Sequence, residues 1–184
     1  MNTYDAILKR KSIRSYLDTP VKAEDLEKII EAGRWAPNAG PFHISIIRNP
    51  MLKQRINDRT LDAMIHSGIE FLQQRASLPG YQPLYGAPVL ILLSAPDESP
   101  YGDMNVSLAA ENMMLTATEL GLGTCFLISP SLALNGDKNA ELAKEACIPN
   151  GYSLKCALIV GYAAPEDKYT LSERTRKGVI SYID

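Results

Sequence analysis

Eight residues near the start of the chain concentrate groups that can bind an anion. The stretch Lys9–Tyr16 contains four cationic side chains, those of Lys9, Arg10, Lys11 and Arg14, together with two serines. Arg10, Ser12 and Arg14 alternate, so in an extended segment they would point to the same side. Guanidinium forks and hydroxyls are well shaped to hold phosphate oxygens. Two interpretations stay open: a phosphate clamp, or a solvated charged segment, which is what most short basic runs are.

A second pair of arginines with the same alternate spacing, Arg174 and Arg176, lies near the other end of the chain. Chain ends often lie close together in compact domains, so the two arginine pairs could converge on one dianion. A solvated tail is the alternative interpretation of this second pair. The convergence is therefore a hypothesis.

The segment Trp35–Pro41 is rich in proline and small residues, which predicts the end of a helix followed by a turn. It has a functional interpretation as well. Small residues let the backbone approach a flat ring, whose edge can then contact backbone N–H and C=O groups. A plain turn is the competing interpretation.

The other candidate motifs are weaker. The segment Gly121–Phe126 lacks the third glycine of a dinucleotide-binding motif and follows a predicted helix rather than a strand. Cys125 has no histidine near it in sequence, which favours a buried structural thiol over a nucleophile. His43 could be a proton donor or a half-buried structural residue. The sequence shows no Ser-His-Asp or paired-carboxylate pattern.

Composition excludes several classes of protein. The chain has 184 residues, a net charge of −2 and a pI of about 5.7, which gives no basis for binding nucleic acid or a membrane surface. Two histidines argue against a His-based zinc site, and we expect no metal. Three cysteines without CxxC spacing indicate reduced thiols in a cytoplasmic protein. We expect no secretory signal and no membrane span.

Hydrophobic periodicity predicts the elements that position these residues. One helix is expected over residues 3–9, and a second should end near Trp35. One or two helices are expected within residues 51–74, and further helices over 103–120 and 139–146. Strands are expected over 42–48, 88–94, 123–128 and 154–162, with a β-like end at 179–183. This order suggests one domain over residues 1–184, a sheet covered by helices on both faces.

Taken together, these pieces resemble the FMN-dependent nitroreductase superfamily over nearly the whole chain. Arg10–Tyr16 looks like the family's Arg-Arg-Ser-Ile/Val-Arg-x-Phe/Tyr signature, and Leu26–Gly40 is similar to its helix and Ala-Pro-Ser-Ala-Gly turn. Ala87–Val89 resembles the start of the family's central strand, and Ser107–Cys125 resembles its long dimer helix and the following segment. The closing Arg174-x-Arg176-Lys177 is similar to its phosphate-binding tail.

The resemblance implies an α+β fold in which a mixed β-sheet is sandwiched between helical layers. It implies an intertwined homodimer with two FMN sites at the subunit interface. The implied activity is that of an FMN-dependent NAD(P)H oxidoreductase. By a ping-pong scheme, NAD(P)H would give hydride to flavin N5, and a small acceptor such as a nitroaromatic or a quinone would then take it.

The resemblance also implies which residues hold FMN. The cofactor-binding set comprises Arg10, Lys11, Ser12 and Arg14, the turn residues Pro37, Asn38, Ala39 and Gly40, then Phe126, Leu127, Ile128 and Ser129, and the tail residues Arg174 and Arg176. The basic residues would bind the phosphate and ribityl chain, and the turn would line the isoalloxazine. A backbone N–H within 126–129 would point at flavin N5. No side chain is implied as catalytic, because the flavin carries the chemistry.

This sequence departs from the family pattern after the turn. The family usually has Asn-x-Gln-Pro-Trp there, whereas this chain has Pro41-Phe42-His43-Ile44-Ser45. Pro41 offers neither an N–H nor a polar side chain to the flavin. In addition, Lys11 replaces an arginine and Asn105 stands where an aspartate is common.

Two alternative functions therefore stay open. One is a flavin-binding protein without NAD(P)H turnover, which stores flavin, uses another electron donor or consumes the flavin itself. The other is an interaction protein that kept the fold and lost the flavin, against which the retained arginines argue. The loop 78–85 and the helix before it are the expected substrate-shaping insertion, with His43 and Tyr85 as candidates for touching substrate.

Overall fold

The computed structural model describes residues 1–165 and 177–183. Arg174 and Arg176 lie outside the described residues. The helices are α1 (Thr3–Lys9), α2 (Ala23–Arg34), α3 (Pro50–Ile65), α4 (Glu70–Ala76), α5 (Gly102–Glu119), α6 (Ser131–Leu134) and α7 (Ala140–Glu145), with a 3₁₀ turn at Asp137–Asn139. The strands are β1 (His43–Ile47), β2 (Val89–Pro96), β3 (Gly123–Leu127) and β4 (Tyr152–Gly161).

The four strands form one sheet in the order β1-β2-β4-β3. All three strand pairings are antiparallel. The α+β class is confirmed, but the prediction of a mixed sheet is wrong for these four strands. Within the described residues, parallel pairing is limited to an isolated bridge between Ser12 and Thr124. Central β2 is almost continuously apolar and buried because helices cover it on both sides.

Alternate residues of β2 enter two different cores. Val89, Ile91 and Leu93 pack in a cluster with apolar residues of α2 and α5. Leu90 and Leu92 pack on the opposite face in a cluster that includes residues of α3 and α6. This separation follows from the two-residue period of a strand. The sheet is therefore sandwiched between helical layers, as the resemblance implied.

Local sequence signals explain where several helices begin and end. The Asn2 side chain accepts a hydrogen bond from the Asp5 N–H and caps α1, and Asn49 caps α3 through the Leu52 N–H. Helix α2 ends at Arg34, just before the Pro37 region in which the helix cannot continue. The short α6 and the 3₁₀ turn were not predicted, since they are too short to show a hydrophobic period.

The β-like ending predicted for residues 179–183 is wrong for the single chain. The described residues 177–183 have no regular secondary structure. Val179 and Ile183 are each 98% exposed, and Ile180 and Tyr182 are exposed as well. The segment therefore has the apolar composition of a strand without a partner among the described residues.

Within the part of the chain that the structure describes, none of the helices combines the length and the hydrophobicity that crossing a lipid bilayer requires.

Candidate functional site

The basic stretch is anchored along the outer edge of β3. The Ile13 N–H donates to the Thr124 carbonyl oxygen at 2.8 Å, which continues the sheet by one bridge. Gly123 makes this approach possible, because a Cβ at its position would lie only 2.7 Å from Ile13 Cγ1. The Tyr16 hydroxyl donates to the Ile13 carbonyl oxygen at 2.7 Å and fixes the following bend. The stretch is therefore held to the sheet by its backbone and not only by its charged side chains.

The same stretch then follows the end of β4. The Leu17 N–H donates to the Tyr162 carbonyl oxygen at 2.9 Å, and the Ala164 N–H donates to the Ser15 carbonyl oxygen at 3.0 Å. These bonds, with the bridges at Ser12 and Tyr16, hold residues 12–17 beside the start of β3 and the end of β4.

The pKa of the buried Cys125 thiol in β3 is influenced by charged and polar groups around it. Burial raises the pKa of the Cys125 thiol, while the Arg14 charge, a Ser12 hydrogen bond and the charges of Arg75 and Arg10 oppose that rise. Arg10, Ser12 and Arg14 thus act on the same buried position, along with an arginine from a distant segment. We call Arg10, Arg14 and Arg75 the arginine cluster. Its combined charge makes the surroundings of Cys125, in the middle of β3, suited to an anion.

Arg10 is also held by an acidic residue of α5. Its Nε lies 3.3 Å from a carboxylate oxygen of Glu111, and its side chain is largely buried. This pair fixes the guanidinium position and compensates part of its charge. Lys11, between the two alternating positions, is exposed to solvent.

Sequence reasoning missed Arg75. This residue of α4 donates from Nη2 to the Tyr85 hydroxyl at 2.6 Å. Its guanidinium carbon lies 5.4 Å from the Tyr81 ring centroid and 6.0 Å from that of Tyr85, within the range of cation–π attraction. The two rings meet edge to face at 5.7 Å. No spacing motif links these three residues, and only the packing of the 78–85 loop against α4 brings them together.

The turn at residues 37–40 lies against the start of α5. The Ala39 N–H donates to Asn105 Oδ1 at 2.9 Å, and Asn105 Nδ2 donates to the Gly40 carbonyl oxygen at 3.4 Å. Gly40 has a φ of +126°, which side-chain-bearing residues rarely adopt. Pro37, Asn38, Ala39 and Gly40 are all exposed, so the turn is open to a ligand.

The segment that leaves β3 presents its residues in different directions. Leu127 is buried in the core with α3 and α6, so its side chain is not available to a ligand. Phe126 is half-buried against the opposite core, while Ile128 is 65% exposed. The carbonyl oxygens of Ile128 and Ser129 accept hydrogen bonds from the Ser131 and Leu132 N–H groups, which turns the chain into α6.

Among the described His, Cys, Asp and Glu side chains, no three are grouped so that they could hold a metal ion.

Comparison with known proteins identifies the family. The sequence model of the Nitroreductase family matches residues 7–162, and the chain belongs to that family. It is 32% identical over 177 residues to a protein of Archaeoglobus fulgidus, covering 91% of this chain and 90% of the other. That relative is named provisionally as an NADH dehydrogenase/NAD(P)H nitroreductase.

Two solved structures illustrate the shared fold. A nitroreductase from Bacteroides fragilis, crystallised with bound FMN, superposes with a TM-score of 0.88 at 26% identity, over 100% of both chains. A BluB-like flavoprotein from Clostridium difficile superposes with a TM-score of 0.79 at 23% identity, also over 100% of both chains. Proteins described as nitroreductase and as BluB-like flavoprotein thus share this fold, so the fold alone does not select the reaction.

Proposed function

We propose that this chain is an FMN-dependent oxidoreductase that uses NAD(P)H and reduces a small acceptor. The observation that carries the proposal is that the stretch with Arg10, Ser12 and Arg14 is hydrogen-bonded to the edge of β3 through the Ile13 N–H, in a chain of the Nitroreductase family. When bound, FMN would supply the redox chemistry, accepting hydride at N5 and passing it to an acceptor such as a nitroaromatic or a quinone.

The residues present fit the cofactor's phosphate. Two guanidinium groups and a hydroxyl from one short segment supply the positive charge and the hydrogen-bond donors that a phosphate dianion requires. The Thr124 Oγ1 atom at the same edge is buried and has no hydrogen-bond partner in the described part of the chain. A polar ligand bound at this edge would offer a hydrogen-bond partner to the Thr124 hydroxyl.

The chain's own residues would bind and orient the flavin. Arg10 and Arg14 would hold the phosphate, with Ser12 hydrogen-bonding beside them and Arg174 and Arg176 joining from the tail. Pro37, Asn38, Ala39 and Gly40 would line the ring, as would the backbone of Phe126, Leu127, Ile128 and Ser129. Lys11 is exposed and would act through its charge.

We further propose that the working form is a homodimer. Asn105, which holds the turn, and Glu111, which holds Arg10, are six residues apart on α5. That separation is about 9 Å along the helix and about 120° around it. The turn and Arg10 therefore lie on different sides of α5, and a second copy could supply one of them to each flavin.

The edge of the sheet supports the same proposal. Strand β1 has an outer edge to which no strand of the described residues pairs. A groove of about 440 Å³ beside it is lined by the apolar side chains of Ile30, Phe42, Ile44 and Ile46, and also by Arg34 and by Asn38, Gly40 and Pro41 of the turn. The exposed apolar segment 178–183 of a second copy has a composition suited to cover this edge and groove. Light scattering of the full chain should give twice the chain mass, and removal of residues 178–184 should weaken the dimer.

The absorption spectrum of the purified protein tests the flavin assignment, and an anaerobic titration tests the electron donor. A flavin spectrum that bleaches with NADH or NADPH and recovers with a nitroaromatic or a quinone is the expected result. A colourless protein that does not bind added FMN would contradict the proposal.

Pro41 favours one alternative function. It follows the turn without a backbone N–H, where the family pattern has an asparagine. A protein with weaker contacts at the flavin edge could store the flavin, take electrons from another donor or consume it. A yellow protein that keeps its colour with both nicotinamides under anaerobic conditions would support this alternative.

A further inference from the structure

The side chain of Asn105 makes a paired contact with the backbone of the turn. Asn105 is 2% exposed and lies in the first turns of α5. Its amide oxygen accepts from the Ala39 N–H at 2.9 Å, and its amide nitrogen donates to the Gly40 carbonyl oxygen at 3.4 Å. An asparagine can make both contacts because its amide carries an acceptor and a donor, whereas an ionised aspartate carries acceptors only.

This contact determines which backbone donors the turn can offer to a ligand. Pro37 and Pro41 have no N–H, so within residues 37–41 only Asn38, Ala39 and Gly40 carry one. The Ala39 N–H is engaged by Asn105. The Asn38 side chain is itself tied back to the Ala36 carbonyl oxygen at 3.3 Å. The N–H groups of Asn38 and Gly40 are thus the donors left to meet the edge of a planar ring.

We infer that Asn105 is the positioning residue for the cofactor ring: it fixes the 37–40 turn so that the N–H groups of Asn38 and Gly40 face the ring edge. This inference rests on the proposed FMN function. The physical reason is preorganisation. A turn already held in its binding conformation does not lose further backbone freedom when the ring binds. Gly40 at a φ of +126° needs such support, because glycine itself restricts the backbone little.

The wild-type protein allows a first test, by amide hydrogen exchange with and without FMN. The Ala39 amide should be protected in both states, because Asn105 engages it independently of the ligand. The amides of Asn38 and Gly40 should become protected only when FMN is present. An Ala39 amide that exchanges freely without FMN would overturn the inference, as would unchanged exchange at both Asn38 and Gly40.

Substitutions provide the second test, with a matched control on the same helix. Asn105→Ala removes both contacts, and Asn105→Asp keeps an acceptor for the Ala39 N–H. Asn112→Ala is the control, because Asn112 Nδ2 donates in the same way to a backbone carbonyl oxygen, that of Ala32, at 3.1 Å and does not touch the turn. We expect Asn105→Ala to weaken FMN binding about tenfold and to shift the midpoint potential and visible circular dichroism of bound FMN. Asn105→Asp should recover most of the affinity.

The outcomes separate this inference from the proposed function. A wild-type protein that does not bind FMN would overturn both. If the wild-type protein binds FMN and Asn105→Ala binds it with the same affinity and the same midpoint potential, only the positioning role is overturned. Equal losses in Asn105→Ala and Asn112→Ala would also overturn it, because they would reflect a general loosening of α5.

Discussion

Gly123 and Ile13 are packed so closely that no side chain fits between them. A Cβ on Gly123 would lie 2.7 Å from Ile13 Cγ1 and 3.0 Å from both Ile13 Cβ and Cγ2. Carbon atoms in favourable contact are about 3.5–4.0 Å apart. The absence of a side chain at Gly123 therefore lets the basic stretch lie on the edge of β3.

Replacing Gly123 with alanine should move the basic stretch away from the sheet. We expect a loss of about 1–3 kcal/mol in the free energy of unfolding from overpacking. FMN affinity should fall with it, because Ser12 and Arg14 flank Ile13. Urea unfolding and FMN titration measure the two effects. The double variant Ile13→Ala/Gly123→Ala removes both Ile13 methyl-bearing branches and should recover part of each loss relative to Gly123→Ala. If the losses of Ile13→Ala and Gly123→Ala simply add in the double variant, this packing explanation is contradicted.

Removing phosphate-binding arginines should weaken FMN binding far more than riboflavin binding. Each charged hydrogen-bond partner is worth about 1.5–3 kcal/mol, so Arg10→Ala together with Arg174→Ala should cost several kcal/mol. Riboflavin lacks the phosphate and serves as the control ligand. Glu111→Gln removes the carboxylate that lies 3.3 Å from Arg10 and should lower FMN affinity by less than the double arginine variant does, because it loosens the guanidinium but keeps its charge. Unchanged FMN retention in the double arginine variant would exclude the phosphate clamp.

Only one of the three cysteines should react quickly in the folded protein. Cys147 is exposed, while Cys125 and Cys156 are buried. Burial raises the pKa of Cys125, and it raises that of Cys156 to about 12, so neither forms much thiolate at neutral pH. Labelling with a disulfide reagent at pH 8 should modify one thiol per chain and all three after unfolding. Cys147→Ser should abolish the fast reaction, and rapid modification of Cys125 would be inconsistent with its burial.

Ionisation of Tyr81 in the unfolded chain should make the folded protein less stable as the pH rises above about 10. Burial, followed by the hydrogen bond with Tyr85, raises the pKa of Tyr81. The folded protein therefore retains this proton at pH values above about 10, where the unfolded chain loses it. Because the unfolded state then binds fewer protons, the free energy of unfolding falls by up to about 1.4 kcal/mol per pH unit from this group. Urea unfolding between about pH 9 and 11 should show a shallower decline for Tyr81→Phe. The exposed Tyr4→Phe is the control and should keep the wild-type slope.

The sequence predicted those features that depend on neighbouring residues. The apolar runs of β2 and β4, the long helix α5 and the alternation of Arg10, Ser12 and Arg14 are all local patterns. Contacts between distant segments were not predictable in this way. Arg75 against Tyr81 and Tyr85, and Asn105 against the 37–40 turn, depend on how whole elements pack. The antiparallel direction of the three pairings among β1, β2, β3 and β4 likewise depends on the path of the chain between strands.

The two outer edges of the sheet differ in how well they are covered, and this difference affects the tendency of a single chain to aggregate. The basic stretch covers β3, whereas β1 leaves its backbone groups and the neighbouring apolar groove uncovered by the described residues. An open, apolar strand edge is a template for pairing with any other extended chain. If the chain forms the proposed homodimer, a subunit that has not yet found its partner would therefore be prone to aggregate. Damage to the surfaces that cover β1 would then show itself first as insoluble protein during synthesis, before any change in flavin chemistry could be measured.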